Sequence, residues 1–351
     1  MNDFTGHGTG SERAAARQLQ LTKPPGSLGA LERIALQLAA IQDVERPVAT
    51  PAAAILFAAD HPVVVHGVAA FPPSVTAGMV LNFAAGGAAA SVAAGSMHGI
   101  PLEVHDVGVD TPYQLPEGGA AKVKRHESAA WPAGDLRVED AMGKELFTAS
   151  VEAGRSAVLG LEPCPRVVIL GEMGIGNTTP ASAVAAALLG RPAADLVGPG
   201  TGLDEAGVRH KARVVDEALA RLGTAADLQP LDVLRRVGGR ELAALAGAAL
   251  AAEECGAAVL VDGFIVTSAV LAAVRHRPAL RANLLFAHRS GEPGHALLLE
   301  ALEAAPLLNL GLRLGEGSGA LAAFGLVELA CKLHGEMATF AEAGLEGAPP
   351  A

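Results

Sequence analysis

Aromatic residues are scarce in this chain: 9 Phe, 1 Tyr and 1 Trp among 351 residues, although half of the sequence is apolar. A core built around large rings is therefore excluded, and Ala, Val, Leu and Ile must fill it. Cysteine is limited to Cys164, Cys255 and Cys331, which lie far apart and are odd in number. That excludes a disulfide framework and a CxxC motif, and the three are expected to be reduced thiols, mostly buried. No block of Lys and Arg interleaved with aromatics occurs, and 26 basic residues face 37 acidic ones, a net charge of −11. Nucleic acid is therefore not the expected partner, and any phosphate must be gripped locally. No apolar run is read as reaching the ~20 residues a membrane span needs. Met1–Arg17 lacks the apolar centre of a signal peptide and reads as a loose leader. A soluble, cytoplasmic protein with no membrane partner is expected.

Several reactive motifs are missing as well. The 11 histidines form no HExxH and no His–Cys spacing suited to a metal, and His61 and His66 read as loop or core residues. No GxSxG elbow and no Gly-Lys-Ser/Thr phosphate loop is present. Neither a metal nor another cofactor is expected, so carboxylates must carry any chemistry.

What the chain does have is a series of short apolar runs that end on glycine or a carboxylate. Ala53–Ala59 runs into Asp60, and Leu102–Val109 carries Asp106. Arg166–Leu170 meets Gly171 and Glu172, Ala257–Val261 meets Asp262, Leu284–Ala287 meets His288 and Ser290, and Leu307–Leu314 meets Gly315 and Glu316. Ala-rich stretches of helical length lie between them, among them Pro180–Leu189, Leu203–Leu222 and Arg240–Cys255. This alternation predicts βαβ units in an α/β fold with a mostly parallel sheet and flanking helices. Ligands of such sheets bind outside the carboxyl ends of the strands, where these carboxylates fall. Ala14–Val44 reads as two helices broken at Lys23–Ser27, and Leu321–Phe340 as another helix. The two ends, 1–45 and 321–351, are expected to form a small helical domain beside a large domain over 46–320. Gly108–Ala141 reads as a long connection.

Four glycine-rich segments are candidates for chemistry. Gly171–Pro180 (GEMGIGNTTP) leaves a strand and opens a helix, with Asn177 or a Thr suited to the N-cap, and free N–H groups there favour phosphate. Its glycine spacing does not complete GxGxxG, so a dinucleotide-dependent oxidoreductase is a weaker alternative. Gly198–Gly202 (GPGTG) precedes a helix bearing Lys211, a possible phosphate cradle or simply a loop before a solvated helix face. Leu314–Gly319 (LGEGSG) sets Glu316 between glycines, where burial raises a carboxyl pKa into the range useful for proton transfer. Ser290–His295 (SGEPGH) is a turn with hydroxyl and amide donors.

Taken in order, these segments resemble the nicotinate-nucleotide–dimethylbenzimidazole phosphoribosyltransferase family. The resemblance runs through KPPGSLGALE (23–32), AADHPVVVHGVAAFPPSVTAGMVLNFAAGGAA (58–89), GEMGIGNTTPASA (171–183), GPGTGLD (198–204), VGGRELAALAG (237–247), VDGFIVTSA (261–269), AHRSGEPGH (287–295) and LGLRLGEGSGA (310–320). It covers almost the whole chain. It implies a Rossmann-like large domain, a small helical domain from both chain ends, and a homodimer. The implied reaction passes phosphoribose from nicotinate mononucleotide to 5,6-dimethylbenzimidazole, giving nicotinate and α-ribazole 5′-phosphate for the cobalamin nucleotide loop.

By the same resemblance Glu316 is the general base and Glu172 a second carboxylate facing the ribose. The 5′-phosphate falls to Gly174, Gly176, Asn177, Lys211, Ser290 and Gly291. Gly200, Thr201, Gly202 and Asp262 border the ribose or nicotinate, and Ser74, Met79, Met173 and Leu314 wall the base pocket. Two positions depart from the family pattern. Pro62 stands where members usually have Gly, and Gly78 where they usually have Gln. The second change leaves another benzimidazole, or a purine, open as the acceptor, and a non-catalytic nucleotide-binding homologue is a further alternative.

Overall fold

The structure is a computed structural model that describes residues 9–115, 118 and 121–346. Six strands, β1 (Ala52–Ala59), β2 (Leu102–Gly108), β3 (Lys122–Arg125), β4 (Val167–Met173), β5 (Ala258–Val261) and β6 (Leu284–Phe286), form one sheet in the order β3-β2-β1-β4-β5-β6. Every pairing is parallel, with Phe57 of β1 opposite Glu172 of β4. Helices cover both faces, so the central strands read as unbroken apolar runs. All eight residues of β1 are buried: Ile55 and Phe57 enter the core on one face, Leu56 and Ala58 the core on the other.

The shortage of aromatics is met by close helix packing. The helix Arg240–Glu254 is buried from Arg240 to Ala252 and lies against the helix Lys144–Leu159. A side chain at Gly154 would come within 1.8 Å of the Ala244 carbonyl oxygen, and one at Gly247 within 2.1 Å of that of Val151. Backbone contact at this range replaces bulky side chains with dense packing.

Several expectations are corrected. Leu307–Leu314 is not a strand: only Leu308 bridges, to His288, after which Gly311 turns left-handed (φ 69°) and Leu310 and Leu314 stand exposed. Gly108–Ala141 contains the edge strand β3, in which Lys122, Lys124 and Arg125 are exposed and only Val123 packs on the core, so its sequence lacks an apolar rhythm. Part of the loose leader, Met1–Gly8, lies outside the described residues; from Thr9 the chain is already helix, to Gln20. Of the cysteines only Cys331 is buried, Cys255 is half-buried and Cys164 exposed, and all three are free.

One run among the described residues, Ser74–His98, is long and apolar enough to cross a membrane, with a mean hydropathy of 1.4, although none was expected. Its first helix, Ser74–Ala85, stops at Gly86 (φ 82°) and sets Val80 and Phe83 into the sheet core. The two chain ends meet: Arg17 Nε donates to the His334 carbonyl oxygen (2.8 Å), and the helix Ala30–Gln42 packs on the helix Ser318–Glu336. That last helix also reaches β4 and β5, so the expected boundary at residue 321 falls inside it.

Candidate active site

The strand order reverses between β1 and β4, and a crevice opens at the carboxyl ends of the strands on the β4–β6 side of that point. Glu172, Asp262, His288 and Glu316 all line it. Glu172 is the penultimate residue of β4, Asp262 directly follows β5, and His288 lies just beyond β6. Three different strands thus deliver polar groups to one place.

Glu316 arrives on a turn rather than a strand. Gly315 (φ 83°), Glu316 (φ 63°) and Gly317 (φ 74°) are consecutively left-handed, and Glu316 is one of few non-glycine residues in that region. A side chain at Gly315 would lie 2.4 Å from Glu172 Oε1, and one at Gly171 would strike the Glu316 backbone at 2.8 Å. Only glycines let this turn press against the end of β4, and the strained glutamate between them marks a functional position. Asp262 holds the turn. Its Oδ1 accepts from the Ala320 N–H (2.9 Å) and its Oδ2 from the Gly317 N–H (3.2 Å), capping the last helix. Asp262 is therefore a support for Glu316 as well as part of the cleft wall.

The electrostatics follow from this crowding. Burial, reinforced by the Asp262 carboxylate, pushes the Glu316 carboxyl up to about 7. Its Oε2 has no hydrogen-bond partner among the described residues. Glu172 is pushed up to about 8, chiefly by burial and then by Asp262, against the Asn177 amide that donates to its Oε2. Asn177 thus supports Glu172 instead of capping the helix Thr178–Leu189, and it makes no side-chain cap bond. The cleft presents a carboxyl poised near neutrality beside one held protonated.

Cationic groups gather at the other end. Lys211 is fully buried rather than on a solvated face, and its Nζ donates to Thr178 Oγ1 (2.6 Å) and to the Gly198 carbonyl oxygen (3.4 Å). Burial brings its ammonium down to about 8, with Glu292 opposing that shift. Arg313 reaches the Gly200 carbonyl oxygen (3.5 Å). Behind Ser290, His295 is pushed down to about 3, mainly by burial and by the nearby His288, so it is neutral. Its Nδ1 accepts from the Ser290 N–H (2.8 Å), which leaves Nε2 to donate to Thr267 Oγ1 (3.0 Å).

The cleft brings together Glu172, Met173, Gly174, Asn177, Gly200, Thr201, Asp262, Ser290, Leu314 and Glu316 of the residues expected from sequence. Lys211 lies one layer behind, beneath the Gly200 turn. Gly176 (φ 87°) shapes the loop against Val64 but lines no cleft, Gly202 faces open space, and Gly291 ties its loop to the Leu312 carbonyl oxygen (2.9 Å). Ser74 and Met79 lie on the neighbouring helix, outside the cleft walls. That helix is linked to the site through Thr76, whose Oγ1 accepts from the Ile175 N–H (3.1 Å). Glu292, Arg313 and Thr178 were missed, and His288, named at a strand end, was given no role. Each sits within a few residues of a motif already singled out, so proximity to a strand end was the signal available.

A family model described as Phosphoribosyltransferase matches residues 8–345. A nicotinate-nucleotide–dimethylbenzimidazole phosphoribosyltransferase of Pseudomonas putida is 52% identical over 340 residues, covering 96% of this chain and 95% of that one. The protein of that name from Azotobacter vinelandii is 53% identical over 336 residues, covering 95% and 94%. The crystal structure of CobT from Thermus thermophilus superposes with a TM-score of 0.89 at 42% identity, covering 96% of this chain and 99% of that one. With its parallel sheet, its cleft at the strand ends and these relatives, the chain belongs to the nicotinate-nucleotide–dimethylbenzimidazole phosphoribosyltransferase family.

Proposed function

We propose that the protein transfers the phosphoribosyl group of nicotinate mononucleotide to 5,6-dimethylbenzimidazole, releasing nicotinate and forming α-ribazole 5′-phosphate for cobalamin assembly. The observation that carries the reading is Glu316: a half-free carboxylate in a strained turn, pushed up to about 7, facing the same cleft as Glu172. One benzimidazole nitrogen attacks C1′ from the face opposite nicotinate. The C1′–N bond breaks and its electron pair returns to the pyridinium nitrogen, which leaves neutral and needs no acid. The proton on the other benzimidazole nitrogen passes to Glu316, so the product is uncharged at the base. Help of this kind is worth about 10²–10⁴ in rate.

Glu172 answers the positive charge at C1′; a bound pyridinium favours its ionised form and draws its proton off. The 5′-phosphate is assigned to Thr178, Gly200, Thr201, Ser290 and Arg313, with Lys211 behind them and the N-terminus of Thr178–Leu189 beneath. Gly174 and Asn177 serve by placing Glu172, and Met173 and Leu314 flank the ring. A second acceptor is kept in view because Gly78 is exposed and faces open space, so a larger ring meets no side chain there. Ser74 and Met79 would border the ring only at that outer edge. We place the enzyme in the cytoplasm as a homodimer, with a small helical domain built from the two chain ends.

Mass spectrometry of products from nicotinate mononucleotide with dimethylbenzimidazole, benzimidazole, adenine and a phenol tests the assignment. A dominant α-ribazole phosphate signal is expected. Product with another base alone moves the acceptor, and no product from any base rejects the transferase reading.

A further inference from the structure

Two motifs remain without a role: Asp60-His61 at the end of β1, and Arg240-Glu241 at the start of the long buried helix. The structure brings them together behind the cleft. His61 Nε2 lies 2.8 Å from Glu241 Oε1, and the two side chains are 5% and 0% exposed. Neither Glu241 oxygen has a hydrogen-bond donor of good geometry among the described residues. A carboxylate so buried is costly unless a cation or a shared proton answers it, and the imidazole is the group in place to do so.

The imidazole occupies a slot made by two glycines. A side chain at Gly239 would come within 2.5 Å of His61 Cε1, and one at Gly174 within 3.1 Å of His61 Nε2. Gly174 lines the cleft two residues after Glu172, so the ring sits directly against the backbone that carries that carboxyl. Glu241 is also among the charges that hold the Glu172 proton on. Of the neighbouring charged groups, Asp60 acts on His61 and Glu172 is acted on by Glu241, while Arg240 pairs with Asp110 after β2. Arg240 Nη2 donates to the Gly108 carbonyl oxygen (2.6 Å) and closes the β1–β2 side.

We propose that His61 and Glu241 are a buried positioning pair for Glu172: Glu241 fixes the imidazole, and the imidazole props the Gly174 turn that follows Glu172. The role in turnover rests on the transferase reading above; the effect on Glu172 does not. The test is a carboxyl-carbon NMR titration of glutamate-labelled protein, with the Glu172 signal identified from Glu172→Gln, alongside the rate of nicotinate release.

In Glu241→Gln the Glu172 midpoint falls by about half a pH unit or more, because a negative neighbour is gone. The kcat falls about tenfold, because an imidazole without its carboxylate partner no longer fixes the Gly174 turn that places Glu172; the lower midpoint alone would not slow the reaction. Glu241→Asp, which keeps the charge, holds the midpoint near the wild-type value, as a loss of packing alone would not. If Glu241→Gln does not fold, the double variant His61→Leu, Glu241→Met removes the pair whole with similar volume and is read in the same way. An unchanged Glu172 midpoint, or an unchanged kcat in a folded variant, overturns the proposal. A wild-type protein that releases no nicotinate rejects the reaction instead, and the midpoint alone then decides this inference.

Discussion

At the carboxyl edge of the sheet, Asp106 of β2 and Glu316 of the cleft put the same kind of group to opposite uses. On the β1–β2 side, Asp106 is fully buried and fully engaged. Its Oδ1 accepts from the Gly108 and Val109 N–H groups (2.9 and 2.7 Å) and its Oδ2 from the Tyr113 hydroxyl (2.7 Å). Burial and the Asp106 carboxylate together push the Tyr113 hydroxyl well above its ordinary value, so it remains a donor. On the β4–β6 side, Glu316 keeps an oxygen without a partner among the described residues, and Glu172 has an amide donor against several like charges. A carboxylate at a strand end becomes structural or reactive according to how many donors the neighbouring backbone supplies. Asp262 belongs to both classes, since it is held by two N–H groups and spends its charge on Glu172 and Glu316.

The largest effect that distinguishes the two is on turnover. Glu316→Gln is expected to lower kcat by about 10²–10⁴ while nicotinate mononucleotide still binds, as nicotinate release and calorimetry report. A variant with wild-type kcat would remove the base from the mechanism. On the closed side, Asp106→Asn turns an amide toward donors that need an acceptor. It should cost about 2–3 kcal/mol of stability in denaturant titration with little change in kcat per folded molecule. If it costs activity and not stability, the contrast between the two is wrong.

Removing the shared charge comes next. Asp262→Asn takes a negative neighbour from Glu316, so the Glu316 pKa falls and the acid limb of kcat/KM for the nucleotide moves down by about one pH unit. A limb that stays in place, or moves up, contradicts the electrostatic account.

The smallest effect is on the stability of the open side. A carboxyl whose folded pKa is raised binds more protons folded than unfolded, so it favours the fold below its unfolded pKa and opposes it as pH rises through the folded value. For Glu316 that window runs from 4.5 to about 7. Glu316→Gln should therefore stabilise the protein by about 1–2 kcal/mol at pH 8 and by nothing at pH 4. A destabilised variant at pH 8 would show the carboxylate to be supported after all.

Much of this edge was legible because a buried parallel strand is an apolar run, and the polar residue that ends it stands out. Asp60, Glu172 and Asp262 were visible for that reason, whereas Glu316 stood out because glycines flank it. The segment Leu307–Leu314 misled because its spaced leucines mimic a strand, whereas Gly311 turns the chain out over the site. β3 was hidden because an edge strand of exposed Lys and Arg carries no apolar signal. Arg313 was hidden because its approach to the cleft depends on how its loop stacks on the Gly200 turn, which no single segment encodes. The pairing of His61 with Glu241 joins residues 180 positions apart and shows only once both glycine slots are in place.

The most direct measurement is the titration of Glu316 itself by carboxyl-carbon NMR, its resonance identified by its loss in Glu316→Gln. A midpoint near 7 is predicted, with the carboxylate open to the cleft and unsupported by donors. A midpoint near the ordinary 4.5 would mean that the open side is as well satisfied as the closed one, and the account of Glu316 as the base would fall.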